Sequence, residues 1–385
     1  MASGGVEHEP SGIAVVGVSV SDTCGVRDHA SLLAQELARE GMPCELHWLR
    51  RRQGSLRGSR SEVRAWSVQL ARELREYPPR AVLLHYSVFS YAYKGLPLFV
   101  APTLAAVRAP GVPIVAFMHE LAYPWRNGGL RGDVWAASQR AVLRGLVDAC
   151  SALVVTADFR ADWLRTRRWL PARQVALAPV FSTLPAPADA PVAERDAAVI
   201  GLFGYSYEGA ALIQVLDALG ELRARGVRAR LSLLGAPGRS SSAGERWASA
   251  ARDRDLQEAV SFSGRLPAQE LSDAIAACDV LVFADSSGPS SRKTTLAASL
   301  ASGVALVAID GRRRWSELTR REAVRVVAPT AGDLADAVAR LLADEPARRA
   351  LGARGREFAN SQMSVASTAR TVGGLLRQAS GGSHL

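Results

Sequence analysis

The sequence predicts an α/β protein made of two doubly wound domains, each with a parallel sheet between layers of helices. Its 385 residues suffice for two domains of ordinary size, and 48% of them are hydrophobic, so each domain can bury a core. Short apolar runs of strand length alternate with longer amphipathic segments, which is the order of βαβ units. A proline- and alanine-rich stretch over 179–191 interrupts this alternation once. We therefore predict two Rossmann-like domains that face a cleft.

In the first half, apolar runs rich in β-branched residues are predicted to be strands, and the segments between them helices. The predicted strands cover 13–20, 44–49, 81–86, 113–118, 152–156 and 175–177. The predicted helices cover 30–39, 63–76, 102–108, 133–149 and 159–167. Loops that follow these strands should lie at the carboxyl edge of the sheet, where open α/β sheets bind ligands.

The second half repeats the pattern. Its predicted strands cover 198–203, 228–234, 260–263, 280–284, 304–309 and 324–327. Its predicted helices cover 210–225, 247–255, 270–277, a segment beginning at 291–295, 331–342 and a long stretch at 347–378. The last stretch should present one apolar face, formed by Val365, Thr368, Val372 and Leu376.

The charge indicates an anionic partner. The formal net charge is +10, and a phosphorylated small molecule, a membrane surface or a nucleic acid would each suit it. The arginines are scattered, and their densest runs, at 50–52 and 312–314, are expected to be solvated faces. Because no RNA-binding motif is present, nucleic acid is the least favoured partner. Peripheral membrane contact stays open, and the sequence predicts no particular oligomeric state.

The cysteines and the amino terminus predict a cytoplasmic protein. The four cysteines form no CxxC pair, residues 1–10 do not form a signal peptide, and no apolar run reaches 18 residues. No histidines or cysteines stand at zinc-binding spacing along the chain. The formal DxD motif at 253–255 lies on a charged segment that is expected to be surface. We therefore expect no metal and no cofactor.

An anion site is predicted where a small-residue loop joins a buried strand to a helix, over 286–303. The first N–H groups of a helix lack internal partners, and the macrodipole adds partial positive charge there. Hydroxyls and two cations, Arg292 and Lys293, accompany this helix start. Substitution of either cation by alanine is expected to weaken diphosphate binding with little change in melting temperature. The alternative is an ordinary capped helix with solvated charges. The candidate residues are Ser290, Ser291, Arg292, Lys293, Thr294 and Thr295.

Two stretches of the first half are further candidates. Gly25 lies in a polar loop after the first predicted strand, but the loop lacks the GxGxxG pattern. His119 and Glu120 close a buried strand just before a loop rich in glycine and aromatic residues. A buried histidine is often a packing residue, yet a His-Glu pair at this edge favours a functional role.

The second half carries an ordered set of motifs. They are Phe203-Gly204, Leu234-Gly235, Phe262-Ser263-Gly264-Arg265-Leu266-Pro267, Glu270-Leu271, Cys278-Asp279-Val280-Leu281-Val282 and Leu300-Ala301-Ser302-Gly303. With this order the chain resembles the GT-B nucleotide-sugar glycosyltransferases over about residues 12–375. It is similar to the large retaining family typified by sucrose synthases and bacterial mannosyltransferases. The resemblance implies an acceptor domain at 12–185, a donor domain at 196–355, and a C-terminal helix at 356–378 that packs back on the first domain.

The resemblance also implies a reaction and a set of roles. A hexosyltransferase-like enzyme would move a sugar from a nucleotide-diphospho-sugar to an acceptor hydroxyl of a small molecule or glycan, with retention and without metal. The implied donor contacts are Gly25, Arg27, Gly204, Tyr205, Gly235, Gly264, Arg265 and Leu266, together with the anion site. His119 would hydrogen-bond the donor sugar. An inverting reaction would instead need a base, for which the candidates are Asp28, His29, His119 and Glu120.

Two departures from the family pattern leave alternatives open. The family's E-x7-E carboxylates correspond in spacing to Ser290 and Ala298, and its diphosphate-binding arginine and lysine are absent from the loop 205–208. A nucleotide-sugar-binding protein without catalysis is therefore the second hypothesis. A binder of nucleic acid or membrane surfaces is the third.

Overall fold

A computed structural model of the chain describes residues 12–21, 24–188, 195–204 and 210–381. The chain divides into two compact units. The first unit comprises the chain up to Pro179 together with the segment from Val365 onward, and the second comprises Val180–Ser364.

Within its described residues, the first unit contains a parallel sheet of six strands in the order β2-β1-β3-β4-β5-β6. The strands are β1 (Ile13–Ser19), β2 (Cys44–Arg50), β3 (Ala81–Ser87), β4 (Ile114–Glu120), β5 (Ala152–Val155) and β6 (Gln174–Leu177). The helices between them are α1 (Gly25–Arg39), α2 (Leu56–Glu76), α3 (Val100–Arg108), α4 (Gly129–Ala149) and α5 (Asp158–Arg165).

The described part of the second unit contains another parallel six-stranded sheet, in the order β12-β11-β10-β7-β8-β9. Its strands are β7 (Ala198–Phe203), β8 (Ala229–Leu234), β9 (Val260–Gly264), β10 (Val280–Phe283), β11 (Ala305–Ile309) and β12 (Arg325–Val327). Its helices are α6 (Ala210–Ala224), α7 (Ser242–Arg252), α8 (Ala268–Ala276), α9 (Thr294–Ala301), α10 (Ser316–Arg320), α11 (Ala331–Ala343) and α12 (Glu345–Gln362). A short 3-10 turn at Gln257–Ala259 leads into β9. The predicted doubly wound α/β class is confirmed in both halves.

Each sheet has a point where the strand order reverses. In the first unit the chain passes from β1 to β2 on one side and returns to β3 on the other. In the second unit the corresponding pair is β7 and β10. Helices leave in opposite directions at such a point, so a crevice opens beyond the carboxyl ends of the two strands.

The C-terminal stretch predicted to be helical at 347–378 consists of two helices. The first helix, α12, packs on α9 and β11 within the second unit, where Gly352 lies directly against the backbone of Gly303. Helix α12 ends at Gln362, with Met363 as its C-cap. The chain then forms α13 (Val365–Ala379), which packs on α1 of the first unit. The predicted apolar face of α13 is confirmed, since Thr368, Val372 and Leu376 are buried. Residues 356–364 thus lie with the second unit, and the returning segment is α13 alone.

Several helices begin earlier than the hydrophobic pattern predicts, because serine caps extend them. Ser55 accepts a hydrogen bond from the backbone N–H of Gly58 at the start of α2, and Ser241 does the same for Gly244 at the start of α7. Helix α1 begins at Gly25 rather than at residue 30, so the predicted Gly25 loop is a helix start.

Some predicted surface features have structural partners. Arg51 donates hydrogen bonds to the backbone carbonyls of Ser90 and Ala92, each at 3.0 Å, so this arginine run is not simply solvated. Cys150 and Cys278 are buried, and burial raises the pKa of each thiol to about 12. Among the described residues, no helix is long and apolar enough to cross a membrane.

Candidate functional site

The loop between β10 and α9 is organised by Asp285. The backbone N–H and the hydroxyl of Ser287 both donate to its carboxylate, at 2.8 and 2.7 Å, and Nζ of Lys293 lies 2.6 Å from the other carboxylate oxygen. Burial alone would raise the pKa of Asp285, but the hydrogen bonds from Lys293 and Ser287 outweigh it and hold that pKa below its ordinary value. Lys293, predicted as a cation for an anion, is therefore already paired with a carboxylate.

Backbone hydrogen bonds fix this loop from two sides. The carbonyl of Ser291 accepts from the N–H of Val180 at 2.8 Å, and the carbonyl of Pro289 accepts from Trp315 at 2.8 Å. Gly288 has φ +86°, and a Cβ there would lie 2.8–3.0 Å from the backbone of Gly311, so only glycine fits. A loop held in this way keeps its polar groups in place before a ligand arrives.

Two buried hydroxyls precede the helix that follows β10, one of the two strands at the reversal of strand order. Ser290 and Ser291 are fully buried, and their hydroxyl oxygens have no hydrogen-bond partner among the described residues. Helix α9 begins at Thr294, within the start predicted at 291–295. Arg292 and Thr295 are half-buried and Thr294 is exposed. Buried hydroxyls beside unsatisfied helix N–H groups form an arrangement that can accept an anion.

Gly204 brings the end of β7 against the start of α9. Its φ is +78°, and a Cβ at this position would lie 2.6 Å from the methyl carbon of Thr295. These two candidates from distant parts of the sequence are therefore neighbours at the point where the strand order reverses. Tyr205, which was predicted beside Gly204, lies outside the described residues.

A second group of predicted residues meets beyond β8 and β9. Gly235 and Gly264 form an isolated bridge, and the N–H of Gly235 donates to the hydroxyl of Ser263 at 2.9 Å. Gly264 and the exposed Arg265 line an open pocket of about 670 Å³ together with the start of α7, and Leu266 follows half-buried. The pocket lies outside the carboxyl ends of two neighbouring strands, as a ligand site of this fold class should.

In the first unit, some of the predicted residues around Gly25 lie on the exposed face of α1 and one lies on its buried face. Gly25, Arg27 and Asp28 are exposed at the start of α1, whereas His29 is buried. His29 lies near His85 and His119, which end strands β3 and β4.

The three histidines are neutral. Burial lowers the pKa of His29 to about 3, and burial is also the main cause that holds the pKa values of His85 and His119 well below the ordinary range. Nδ1 of His85 and Nε2 of His119 share a hydrogen bond of 3.0 Å. His119 is half-buried, and Nδ1 is the ring nitrogen that this bond leaves for a ligand.

Glu120 is held by Arg160, a residue that no sequence pattern singles out. One nitrogen of Arg160 lies 2.5 Å from the Glu120 carboxylate, and another donates to the carbonyl of His119 and, at 2.9 Å, to the hydroxyl of Thr156. The ion pair fixes the end of β4, and an acceptor hydroxyl would have to compete with Arg160 for the Glu120 carboxylate.

The aromatic loops of the first unit have different roles. Tyr86 and Tyr91 are buried and stacked with ring centroids 5.5 Å apart, so they are packing residues. Trp125 is half-exposed, with the guanidinium of Arg140 at 4.7 Å from its ring centre. The DxD motif is a surface turn after α7, in which Arg254 pairs with Asp217 at 2.6 Å.

Comparison with known proteins defines the class to which this architecture belongs. Residues 197–344 match the family model described as Glycosyl transferases group 1, which covers most of the second unit. No curated protein matches the sequence significantly.

Solved structures of similar fold cover almost the whole chain. A glycosyltransferase from Rickettsia africae ESF-5 superposes with a TM-score of 0.74 at 11% identity, covering 97% of this chain and 100% of its own. Sucrose-phosphate synthase from Thermosynechococcus elongatus gives 0.63 at 17% identity, covering 96% and 98%. HepE of Anabaena, solved in complex with UDP, gives 0.68 at 12% identity, covering 95% and 100%.

The fold is therefore GT-B, the arrangement of two Rossmann-like domains expected from the motifs. The second unit contains a Glycosyl transferases group 1 domain over residues 197–344.

Proposed function

We propose that the protein transfers a sugar, of the hexose class, from a nucleotide-diphospho-sugar to the hydroxyl of a small-molecule or glycan acceptor. The observation that carries the proposal is the fixed loop from Asp285 to Thr295, which ends in a helix start at the crevice of the group 1 domain. HepE, a structural neighbour, is solved in complex with UDP and with UDP-glucose, which supports a nucleotide-sugar donor here.

In this proposal the donor diphosphate binds at the start of α9 without a metal ion. As the sugar leaves, negative charge builds on the diphosphate, and preorganised N–H groups and cations stabilise it. Ser290 and Ser291 supply hydroxyl donors, and Arg292, which directly follows them, supplies a cation. We assign the nucleoside to the pocket beside Gly264 and Arg265.

Retention is the stereochemistry that the first unit favours. An inverting enzyme needs a base that holds the acceptor's proton, yet Glu120 is paired with Arg160 and the three histidines have strongly lowered pKa values. Asp28 is the exposed carboxylate that would serve if the reaction inverts. We assign the acceptor to the first unit, in a cytoplasmic setting.

A second candidate function is nucleotide-sugar binding without transfer. It is favoured by Ser290 and Ala298, both buried, which stand where the family has carboxylates. A donor screen separates the two functions: the protein is incubated with sugars carried on different nucleoside diphosphates, and diphosphate release and products are measured. Transfer predicts release that depends on an acceptor, with the anomeric configuration of the product conserved by NMR. Binding of a donor without diphosphate release would support the second function. Absence of both binding and release would contradict both functions.

A further inference from the structure

The first unit contains a cluster of three imidazoles that the proposed reaction does not use as a unit. His29 lies in the first turn of α1, His85 at the end of β3 and His119 at the end of β4. Their positions along the chain are far apart, which is why no zinc-binding spacing is visible in the sequence. The fold brings them together at the β1/β3 reversal of the sheet.

The ligand nitrogens are at distances that suit one shared ion. One nitrogen from each ring lies within 4.8 Å of the others, and the pair from His85 and His119 is 3.0 Å apart. Nitrogens that bind a single tetrahedral zinc ion at its usual bond length are about 3.3 Å apart. A small rotation of the side chains would therefore place all three around one centre.

The chemical state of the rings also suits a metal. An imidazole binds a metal only when it is neutral, and burial keeps these three neutral at physiological pH. Nδ1 of His85 and Nε2 of His119 share one hydrogen bond, and a bound ion would replace that bond by two metal bonds.

The surroundings hold the rings in place. Phe117 stacks on His85 with an interplanar angle of 7°, and its ring also contacts those of His29 and His119. The positive charge of Arg160 near His119 would oppose a cation, but Glu120 pairs with that charge at 2.5 Å. Rings fixed by packing and by outer contacts are typical of metal ligands.

We propose that His29, His85 and His119 bind one divalent transition-metal ion of the zinc class. Three imidazole nitrogens are a donor set that zinc, cobalt and nickel favour, and hard ions such as magnesium do not. The ion ties the start of α1 to the ends of β3 and β4. Because His119 is half-exposed, a fourth coordination position faces outward and takes water or a hydroxyl group.

The test uses the full chain without a histidine tag, stripped with a chelator and titrated with zinc against a chromophoric competitor. We expect one ion per chain at micromolar affinity or tighter, and a tetrahedral cobalt spectrum after substitution. Loss of an outer-shell partner lowers metal affinity by up to about 100-fold. His85→Asn and His29→Asn, which each remove a ligand, should lower zinc affinity by more than that. The measurement needs no nucleotide, so its outcome does not depend on the proposed transfer.

His47→Asn is the matched control, because His47 lies on β2 beside Glu45 and Glu73, at 3.7 and 3.5 Å. This variant should bind zinc like the unaltered protein. X-ray absorption of the zinc-loaded unaltered protein, which does not depend on any variant folding, should show a shell with three imidazoles. No stoichiometric zinc binding, loss of binding in His47→Asn alone, or a shell without three imidazoles would overturn the site.

Discussion

Asp285 is the residue on which the candidate donor loop depends. Its carboxylate is buried and receives three interactions, two from Ser287 and one from Lys293. Chain position alone could not reveal this, because Asp285 and Lys293 are eight residues apart in a loop without periodicity. The loop therefore owes its shape to a buried ion pair as well as to its small residues.

Lys293→Ala should lower the stability of the protein, contrary to the expectation from sequence that melting would hardly change. The substitution leaves the buried carboxylate of Asp285 without its cation, and an unsatisfied group of this kind costs about 1–3 kcal/mol. Denaturant unfolding measures the change. Lys94→Ala is the matched control, since Lys94 is the only other lysine and is exposed. Equal midpoints for the two variants would show that the pair contributes nothing.

The same carboxylate predicts how stability depends on acid pH. The pKa of Asp285 is lower in the folded chain than its ordinary value, so its contribution to stability is full above about pH 4. That contribution is lost as the pH falls through the lowered folded pKa. Unfolding midpoints measured from pH 5 to pH 2 should therefore fall less steeply in Asp285→Asn than in the unaltered protein. Parallel pH profiles would contradict the assignment.

At the scale of elements, the candidate donor site depends on the contact between the end of β7 and the start of α9. Gly204 is the residue that permits it, through its positive φ and its lack of a Cβ. Strand β7 ends and helix α9 begins at the reversal of strand order. A change at their contact should therefore affect ligand binding more than the packing of the core.

Gly204→Ala should weaken the binding of a nucleoside diphosphate, because the new methyl group would push Thr295 and the start of α9 away. A second substitution, Thr295→Ser, removes the methyl carbon that would lie 2.6 Å from a Cβ at residue 204. Titration calorimetry should then show partial recovery of affinity in the double variant, while the strain of the positive φ stays. Unchanged affinity in Gly204→Ala would mean that the contact does not shape the site.

The sequence predicted the central strands well, because strands such as β1, β10 and β11 are continuous apolar runs buried on both faces. It predicted helix starts less well, since Ser55 and Ser241 extend α2 and α7 beyond the periodic pattern. The roles of Arg160 and of the histidine cluster were missed for another reason. Each depends on side chains that only the tertiary fold brings together.

At the scale of the whole molecule, the chain returns to its first unit at the end. Helix α13 packs on α1, and its buried residues include Ala369, Val372 and Leu376. It completes a hydrophobic core that includes residues of β1 and β4. The first unit is thus assembled from both ends of the chain.

Truncation after Ser364 should destabilise the first unit selectively. Loss of α13 exposes the apolar face of α1, and each large buried side chain so exposed costs about 1.5–3 kcal/mol. Hydrogen exchange followed by mass spectrometry should show faster exchange in α1 and β1 of the truncated chain. Peptides from α6 and β8 in the second unit serve as the internal control and should exchange as before. Uniform protection in both units would contradict the role of α13.

Calorimetric titration with a panel of nucleoside diphosphates, in the presence of a chelator, tests whether the start of α9 binds a donor diphosphate. We expect at least one to bind without metal, and Arg292→Ala to weaken its binding by about 10–100-fold, the cost of one charge-assisted hydrogen bond. Arg312→Ala, a change at an exposed arginine of a neighbouring loop, should bind as the unaltered protein does. Binding of no nucleoside diphosphate, or equal affinity in Arg292→Ala and the unaltered protein, would contradict a donor diphosphate site at the start of α9.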